Sequence, residues 1–260
     1  MQRRLISLTM LLLGAVTAVF FLVDGLSTVY GEGAAAQTAT TTVLYDGSLG
    51  NLPSDQSFNY GELPFPPFAI QTISNGGVIL DSTANNSIQA GYGVTTSASV
   101  ILNHNSGYKV TFQARVITQT AVKNDRAGFS VIVLSEDLQG IELGFWSDQI
   151  FAQEDDSQNA SDLFTRAETA VFDTMAAPTL YDLQIISGTY TLSNNGTTIL
   201  NGRLRNYSNF EPPFLVPDPY ETPDFIFLGD DTTSAQASVK LDYVAVRPND
   251  LIFLPLVINP

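Results

Sequence analysis

The chain has 260 residues, is 44% apolar and contains no cysteine. That suffices for a hydrophobic core in one large β domain or two small ones, and it rules out disulfide staples and thiolate metal sites. Eleven basic against 26 acidic residues give a net charge of −15. Such a balance excludes nucleic acid as a partner and adhesion to anionic lipid, both of which need a basic face.

The first segment carries a sorting pattern. Arg3 and Arg4 precede the uncharged run Leu5–Val23, Asp24 ends it, and Ala34-Ala35-Ala36 stand before Gln37. A basic start, an apolar stretch and an A-x-A site read as a secretory signal peptide. About 20 apolar residues also span a bilayer, so residues 1–36 are either a cleaved signal or an uncleaved N-terminal anchor with the arginines inside. Both readings export the domain, with no membrane contact beyond that anchor. Residues 31–42 are small and polar, a flexible leader.

Short strands follow. Thr42–Tyr45 is predicted as the first, closed by Asp46-Gly47. Gly50–Pro67, with four prolines, is expected to be an irregular loop. Strands are expected at Phe68–Ile73 and Val78–Asp81 around Asn75-Gly76-Gly77, then at Ser87–Thr95 and Ala98–Leu102. In Tyr108–Thr118, Tyr108, Val110, Phe112, Ala114 and Val116 alternate with polar residues, which predicts a half-buried antiparallel strand.

Asn124–Glu154 is the stretch with the most chemistry. Phe129–Leu134 and Ile141–Trp146 are apolar runs separated by Ser135–Gly140, which predicts strand, reversal, strand. Period-2 alternation puts Ile141, Leu143 and Phe145 on one face, and Glu142, Gly144 and Trp146 on the other. An acidic loop, Glu154–Asp162, comes next. Ala167–Phe172 is predicted as a strand or a short helix capped by Thr165.

Leu183–Ile186, Thr189–Ser193 and Thr197–Leu200 are separated by Ser187-Gly188 and Asn194-Asn195-Gly196, and this predicts a meander. Asn206–Asp224 holds five prolines and is expected to be a long surface loop. The last strands are Phe225–Leu228 and Ser238–Val246. With no repeat and no heptad, residues 37–247 read as one all-β sandwich. Residues 248–260 are set apart as an apolar C-terminal tail.

Tyr181-Asp182-Leu183-Gln184-Ile185-Ile186-Ser187-Gly188, then Tyr190-Thr191-Leu192 and Asn195-Gly196, resembles the late meander of laminin-G-like, concanavalin A-like jelly rolls. Leu228-Gly229-Asp230-Asp231, followed by Val239-Lys240-Leu241-Asp242-Tyr243-Val244, is similar to their closing strand. Tyr45-Asp46-Gly47-Ser48-Leu49-Gly50-Asn51-Leu52-Pro53 resembles the start of secreted bacterial members. The resemblance covers about residues 41–247 and implies an antiparallel two-sheet jelly roll, in which glycan or calcium binding is common.

No catalytic set emerges. His104, the single histidine, lies in the turn Asn103–Gly107 and reads as solvated. No G-x-S-x-G or H-E-x-x-H accompanies it. Gly91-Tyr92-Gly93 lacks the third glycine of a dinucleotide loop. Retaining glycosidases need two carboxylates about 5 Å apart, and the alternate positions Glu142, Gly144 and Trp146 offer one, with Glu154 or Glu168 left to supply another. The ligand-binding candidates are Arg126, Glu142, Trp146 and Gln153: an indole to stack on a pyranose, and polar groups to bond its hydroxyls. The competing reading packs Trp146 over the sheet and pairs Glu142 with Arg126. Asp230 and Asp231 are the metal candidates, with calcium as the cation their oxygens suit; solvated acidic turns are the alternative. The expected function is an exported jelly-roll module that binds a glycan or polysaccharide, or serves the cell surface or matrix, without catalysis. The alternatives are a lyase or glycosidase on the same scaffold and a purely structural envelope domain.

Overall fold

β-Branched and aromatic residues alternating with polar ones dictate pleated strands with one apolar face, and two such faces must pack together. A computed structural model shows this arrangement and describes residues 39–64, 68–212 and 218–249. These all fall within one compact unit. The expected signal or anchor, and the tail from residue 250 onward, lie outside the described residues.

The strands are β1 (Thr42–Asp46), β2 (Asn59–Leu63), β3 (Ile70–Ser74), β4 (Gly77–Asp81), β5 (Gln89–Thr95), β6 (Tyr108–Ala121), β7 (Ser130–Leu134), β8 (Gly140–Phe145), β9 (Gln149–Gln153), β10 (Arg166–Val171), β11 (Thr179–Ile186), β12 (Thr189–Asn194), β13 (Thr197–Arg203), β14 (Phe225–Asp230) and β15 (Ala235–Pro248). There is no α-helix among the described residues, and no helix long and apolar enough to cross a membrane. The first sheet runs β13-β12-β11-β6-β15-β4-β3, with β1 beside β15; the second runs β10-β9-β8-β7-β14-β5-β2. The neighbours β6–β15 and β7–β14 come from distant parts of the chain, and both pairs are antiparallel. The fold is the jelly-roll sandwich that the sequence predicts.

The turns follow their residues. Asn75-Gly76, Ser187-Gly188 and Asn195-Gly196 all have positive φ at both positions, the backbone that two-residue hairpin loops require. Near the middle of β15 the register against β6 shifts between Leu241 and Tyr243. The extra residue, Asp242, lets both Leu241 and Val244 face the core.

Three expectations are corrected. Ala98–Leu102 is not a strand: Thr96 accepts the amides of Ser99 and Val100 and its hydroxyl donates to the carbonyl of Val100, which closes a turn. Asn59–Leu63, inside the expected irregular loop, is a strand on β5, with Tyr60 opposite Tyr92. Gln149–Gln153 is a strand that no reading of the sequence placed. On the two-way expectation for Ala167–Phe172, the strand is what forms. The last strand also runs through Pro248, and Asn249 donates its amide to the carbonyl of Gly107.

The main core lies between the sheets, where Phe112, Phe145 and Tyr181 pack with centroids 5.1–5.9 Å apart. Every residue of β7 and β8 is buried, although only alternate ones reach that core. The outer face of the second sheet explains the rest. It carries a second apolar layer of Ile132, Leu134, Tyr207 and Tyr220, joined by Phe164, Phe210 and Phe227. Gly91 makes room for it, because a Cβ there would stand 2.4 Å from the Phe227 ring.

Candidate functional site

β8 places Ile141, Leu143 and Phe145 in the main core and Glu142 on the outer face, as its alternation predicts. That outer face is roofed. Tyr207, just after β13, and Tyr220, in the 3-10 turn Pro219–Glu221, lie over it. Asp218 fixes the turn by accepting the amide of Tyr220 at 2.8 Å. The phenol of Tyr220 donates to Glu142 Oε2 at 2.5 Å. Tyr207 accepts the Glu142 amide at 3.2 Å and donates to the Gln153 carbonyl at 2.8 Å. Glu142 is thus buried beneath aromatic rings rather than lining an open groove.

A second carboxyl meets it there. β8, β7 and β14 are neighbours, and Asp231, one residue past β14, falls on the same outer face. Its carboxyl hydrogen-bonds that of Glu142, which requires a shared proton. Burial, and then the neighbouring Asp231, push Glu142 well above the usual carboxylate range, against the pull of the Tyr220 hydrogen bond. Burial raises Asp231 too, while the Glu142 hydrogen bond and the Arg126 charge hold it back. Burial also keeps both tyrosine phenols protonated, so they remain donors.

Asp230 points the other way. It continues the inward parity of Ile226 and Leu228, and its Oδ2 lies 2.6 Å from Ser82 Oγ. Burial pushes its carboxyl up to about 9. Two adjacent residues on opposite sides of a strand cannot share a cation, and calcium needs several oxygens converging on one point. The two carboxyls expected to hold calcium thus have different partners, Ser82 for Asp230 and Glu142 for Asp231. No group of three or more His, Cys, Asp or Glu among the described residues is arranged to hold a metal.

Arg126, Trp146 and Gln153 do come together. The indole Nε1 donates to the carbonyl of Arg126 at 2.8 Å, and Gln153 Nε2 to the carbonyl of Asp125 at 2.9 Å. Arg126 donates to the carbonyls of Asp125 and Phe164 and lies 3.5 Å from the Asp125 carboxylate. The expected Glu142–Arg126 ion pair is replaced by this one, with Arg126 acting on Glu142 only at longer range. Trp146 sits just past β8, on Glu142's side of the sheet, edge-on to Phe151. Its face is not open: the guanidinium of Arg166 lies 3.9 Å from the Trp146 ring centroid and 4.1 Å from that of Phe151. Arg166 pairs across β9–β10 with Gln153, so both side chains leave the same face.

An ion network beyond this face joins the two sheets. Arg205, 1% exposed, donates to Glu154 at 3.0 Å and to Glu168 at 2.8 Å, and Glu168 accepts the Tyr190 phenol at 3.2 Å. Arg203 bonds Asp155 at 2.7 Å and also reaches Glu154. Burial opposes ionisation of Asp155, but hydrogen bonds from Arg203, Ser157 and the Asn206 amide hold its carboxyl below the usual range. Glu154 and Glu168 are thereby committed to Arg205. His104 is a turn residue as expected, though paired: Nε2 lies 2.9 Å from Asp137.

No family model matches the sequence, and no curated protein does. Solved structures match by fold. The carbohydrate esterase vb_24B_21 of the Shiga toxin-encoding bacteriophage phi24B is 14% identical over 81% of this chain and 100% of its own, with a TM-score of 0.52. A Bacillus subtilis protein of unknown function with a galectin-like fold is 11% identical over 81% and 98%, with a TM-score of 0.48. The exoplasmic/lumenal domain of VIP36 is 10% identical over 82% and 90%, with a TM-score of 0.47. At such identities the likeness concerns the fold alone, and the class it defines is the two-sheet jelly-roll sandwich.

Proposed function

We propose that this chain is an exported jelly-roll module that binds carbohydrate without cleaving it, at the outer face of the second sheet around Arg126, Trp146, Gln153 and Arg166. One observation carries the reading. Of eight buried side-chain N and O atoms without a hydrogen-bond partner among the described residues, four belong to this patch: Gln153 Oε1, Arg166 Nε and Nη2, and Asp125 Oδ1, the last of them ion-paired with Arg126 at 3.5 Å. Unspent hydrogen-bonding capacity is costly, and its concentration at one place marks a surface completed by a polar ligand. The phage esterase, which shares the fold, is itself named for carbohydrate.

The acid pair supports binding over hydrolysis. Glu142 and Asp231 touch through a hydrogen bond, whereas glycoside hydrolysis needs carboxyl groups about 5 Å apart or more, with room for sugar or water between them. The test is a glycan array run beside a polysaccharide depolymerisation screen on the purified protein. Binding without new reducing or unsaturated ends is the expected result. Release of such ends would make the module an enzyme, and silence in both assays would make it a structural domain.

A further inference from the structure

A sheet edge presents unpaired backbone donors and acceptors, and folded chains blunt such edges with charges, prolines or bulges. Among the described strands the open edges are β1, β2, β3, β10 and β13. β1 contains Asp46 and a register shift, and β2 contains Glu62 and is followed by Pro64. β10 contains Arg166, Glu168 and a shift, and β13 contains Arg203 and a shift. β3 has none of these devices. Its sequence, Ile70-Gln71-Thr72-Ile73-Ser74, is uncharged, and it pairs with β4 without irregularity. Ile70 is 62% exposed and Ile73 49%, and Phe68 just ahead of them is exposed too.

The strand is anchored on its inner face and at its entry. Gln71 accepts the phenol of Tyr92, from the facing sheet, at 2.7 Å, and Glu62 Oε1 accepts the amides of Phe68 and Ala69. The turn Asn75-Gly76 then sets the parity of the backbone. Ser74 and Gly77 flank this two-residue loop and bond each other, so Thr72 and Ile70 also bond β4. The N–H and C=O groups of Gln71 and Ile73 therefore point to the open side, where no backbone group of the described residues bonds them.

We propose that the free edge of β3 joins two copies of this chain into a twofold dimer, with the strands antiparallel about Thr72 and Gln71 of each opposite Ile73 of the other. Charge selects this occupant. With a net charge of −15, two copies repel over most approaches, and β3 is an edge where they meet with no charged side chain on the strand. A basic partner finds no carboxylate on the strand to bind. Asp81, opposite Ile70 on β4, stands one strand back and accepts the Thr83 hydroxyl at 2.6 Å. Self-pairing in this register matches the four outward backbone groups of one edge to the four of the other. Being isologous, it closes at two. One pair of five-residue edges is a small interface, which makes the association reversible.

Sedimentation equilibrium of the purified protein over a range of concentrations tests this, at salt of about 0.05 M and about 0.5 M. The expected result is a monomer–dimer equilibrium that tightens at the higher salt, because screening weakens the repulsion between two acidic chains. Thr72→Lys sets like charges opposite each other on the axis and should weaken association at least about tenfold at the lower salt. Val171→Lys adds the same charge on β10, where the residue is 92% exposed, and should leave association unchanged. Thermal melts of each variant confirm folding, and Ile70→Lys stands in should Thr72→Lys fail. A chain monomeric at every concentration, an assembly that grows past two, or a dimer indifferent to lysine on β3 would overturn the proposal. Both chain ends are present in every variant, so association through them would give that last result.

Discussion

Asp230 and Ser82 meet between the sheets, with Oδ2 of one 2.6 Å from Oγ of the other. Ser82 Oγ also lies 3.2 Å from the Ala237 carbonyl and accepts the Ala237 amide at 3.1 Å. Ser82 donates to Asp230, a bond that favours the charged carboxylate, but burial outweighs it. Burial supplies the reason it stays protonated, up to a pH of about 9. Its ordinary value is 3.8. Between those limits the folded state holds a proton that the unfolded state has lost, and stability falls as pH rises, by up to about 1.4 kcal/mol per pH unit for each retained proton. The shared Glu142–Asp231 proton acts in the same direction. Asp155 acts oppositely: its lowered carboxyl contributes stability above its ordinary value of 3.8, and that is lost as pH falls below it. Chemical denaturation across pH should show a maximum on the acid side of neutrality, and Asp230→Asn should flatten the alkaline slope. A maximum near pH 8 or above, or a slope unchanged by the asparagine, would contradict this account.

The next contrast is between adjacent residues. Phe145 is packed in the main core against Phe112, Phe129 and Tyr181, so Phe145→Ala should cost about 3–5 kcal/mol. Trp146→Ala removes a half-buried ring, its bond to the Arg126 carbonyl and the platform under Arg166, for about 1–3 kcal/mol. Urea denaturation decides between the two. Equal losses would make the indole packing material alone and remove it from the proposed ligand face.

The outward and inward faces of β8 could be read from Ile141–Trp146 because alternation is local, and the hairpins because Asn-Gly and Ser-Gly turns are local too. Gln149–Gln153 escaped because its five residues follow a turn, Ser147-Asp148, with no glycine or proline to mark it. The acid pair escaped for a different reason. Glu142 and Asp231 belong to separate strands, and only the order β8-β7-β14 makes them neighbours. Arg126, Trp146 and Gln153 were legible as polar and aromatic groups on one stretch of chain. Arg166, which covers the indole and holds the free donors, was not, since nothing in its own sequence neighbourhood points to Trp146. Asp230 and Asp231 looked like one site because adjacency in sequence suggests proximity, whereas the pleat of a strand sends consecutive side chains apart.

That separation carries a prediction about metal. With Asp230 turned to Ser82 and Asp231 to Glu142, millimolar calcium and excess EDTA should leave the melting temperature unchanged, because a ligand stabilises only by binding the folded state. A calcium-dependent rise of several degrees in a scanning calorimeter would show that other oxygens of the chain hold the ion.

Arg205 offers the sharpest test of what joins the sheets. It is buried between Glu154 and Glu168, with its remaining donor on the Arg203 carbonyl. A buried charge with every guanidinium nitrogen hydrogen-bonded is expensive to disturb, because removing it leaves Glu168 without a counter-ion and Glu154 with Arg203 alone. Arg205→Ala should therefore cost about 3–5 kcal/mol, against about 0–1 kcal/mol for exposed pairs such as Lys109–Asp182. Adding Glu154→Gln and Glu168→Gln to the alanine variant should recover much of the loss, since it removes the uncompensated charge rather than restoring the bridge. Urea denaturation of the single, double and triple variants measures both effects. If the triple variant is no more stable than Arg205→Ala, the penalty lies in lost packing of the arginine stem, and the network is not the electrostatic clamp its geometry describes.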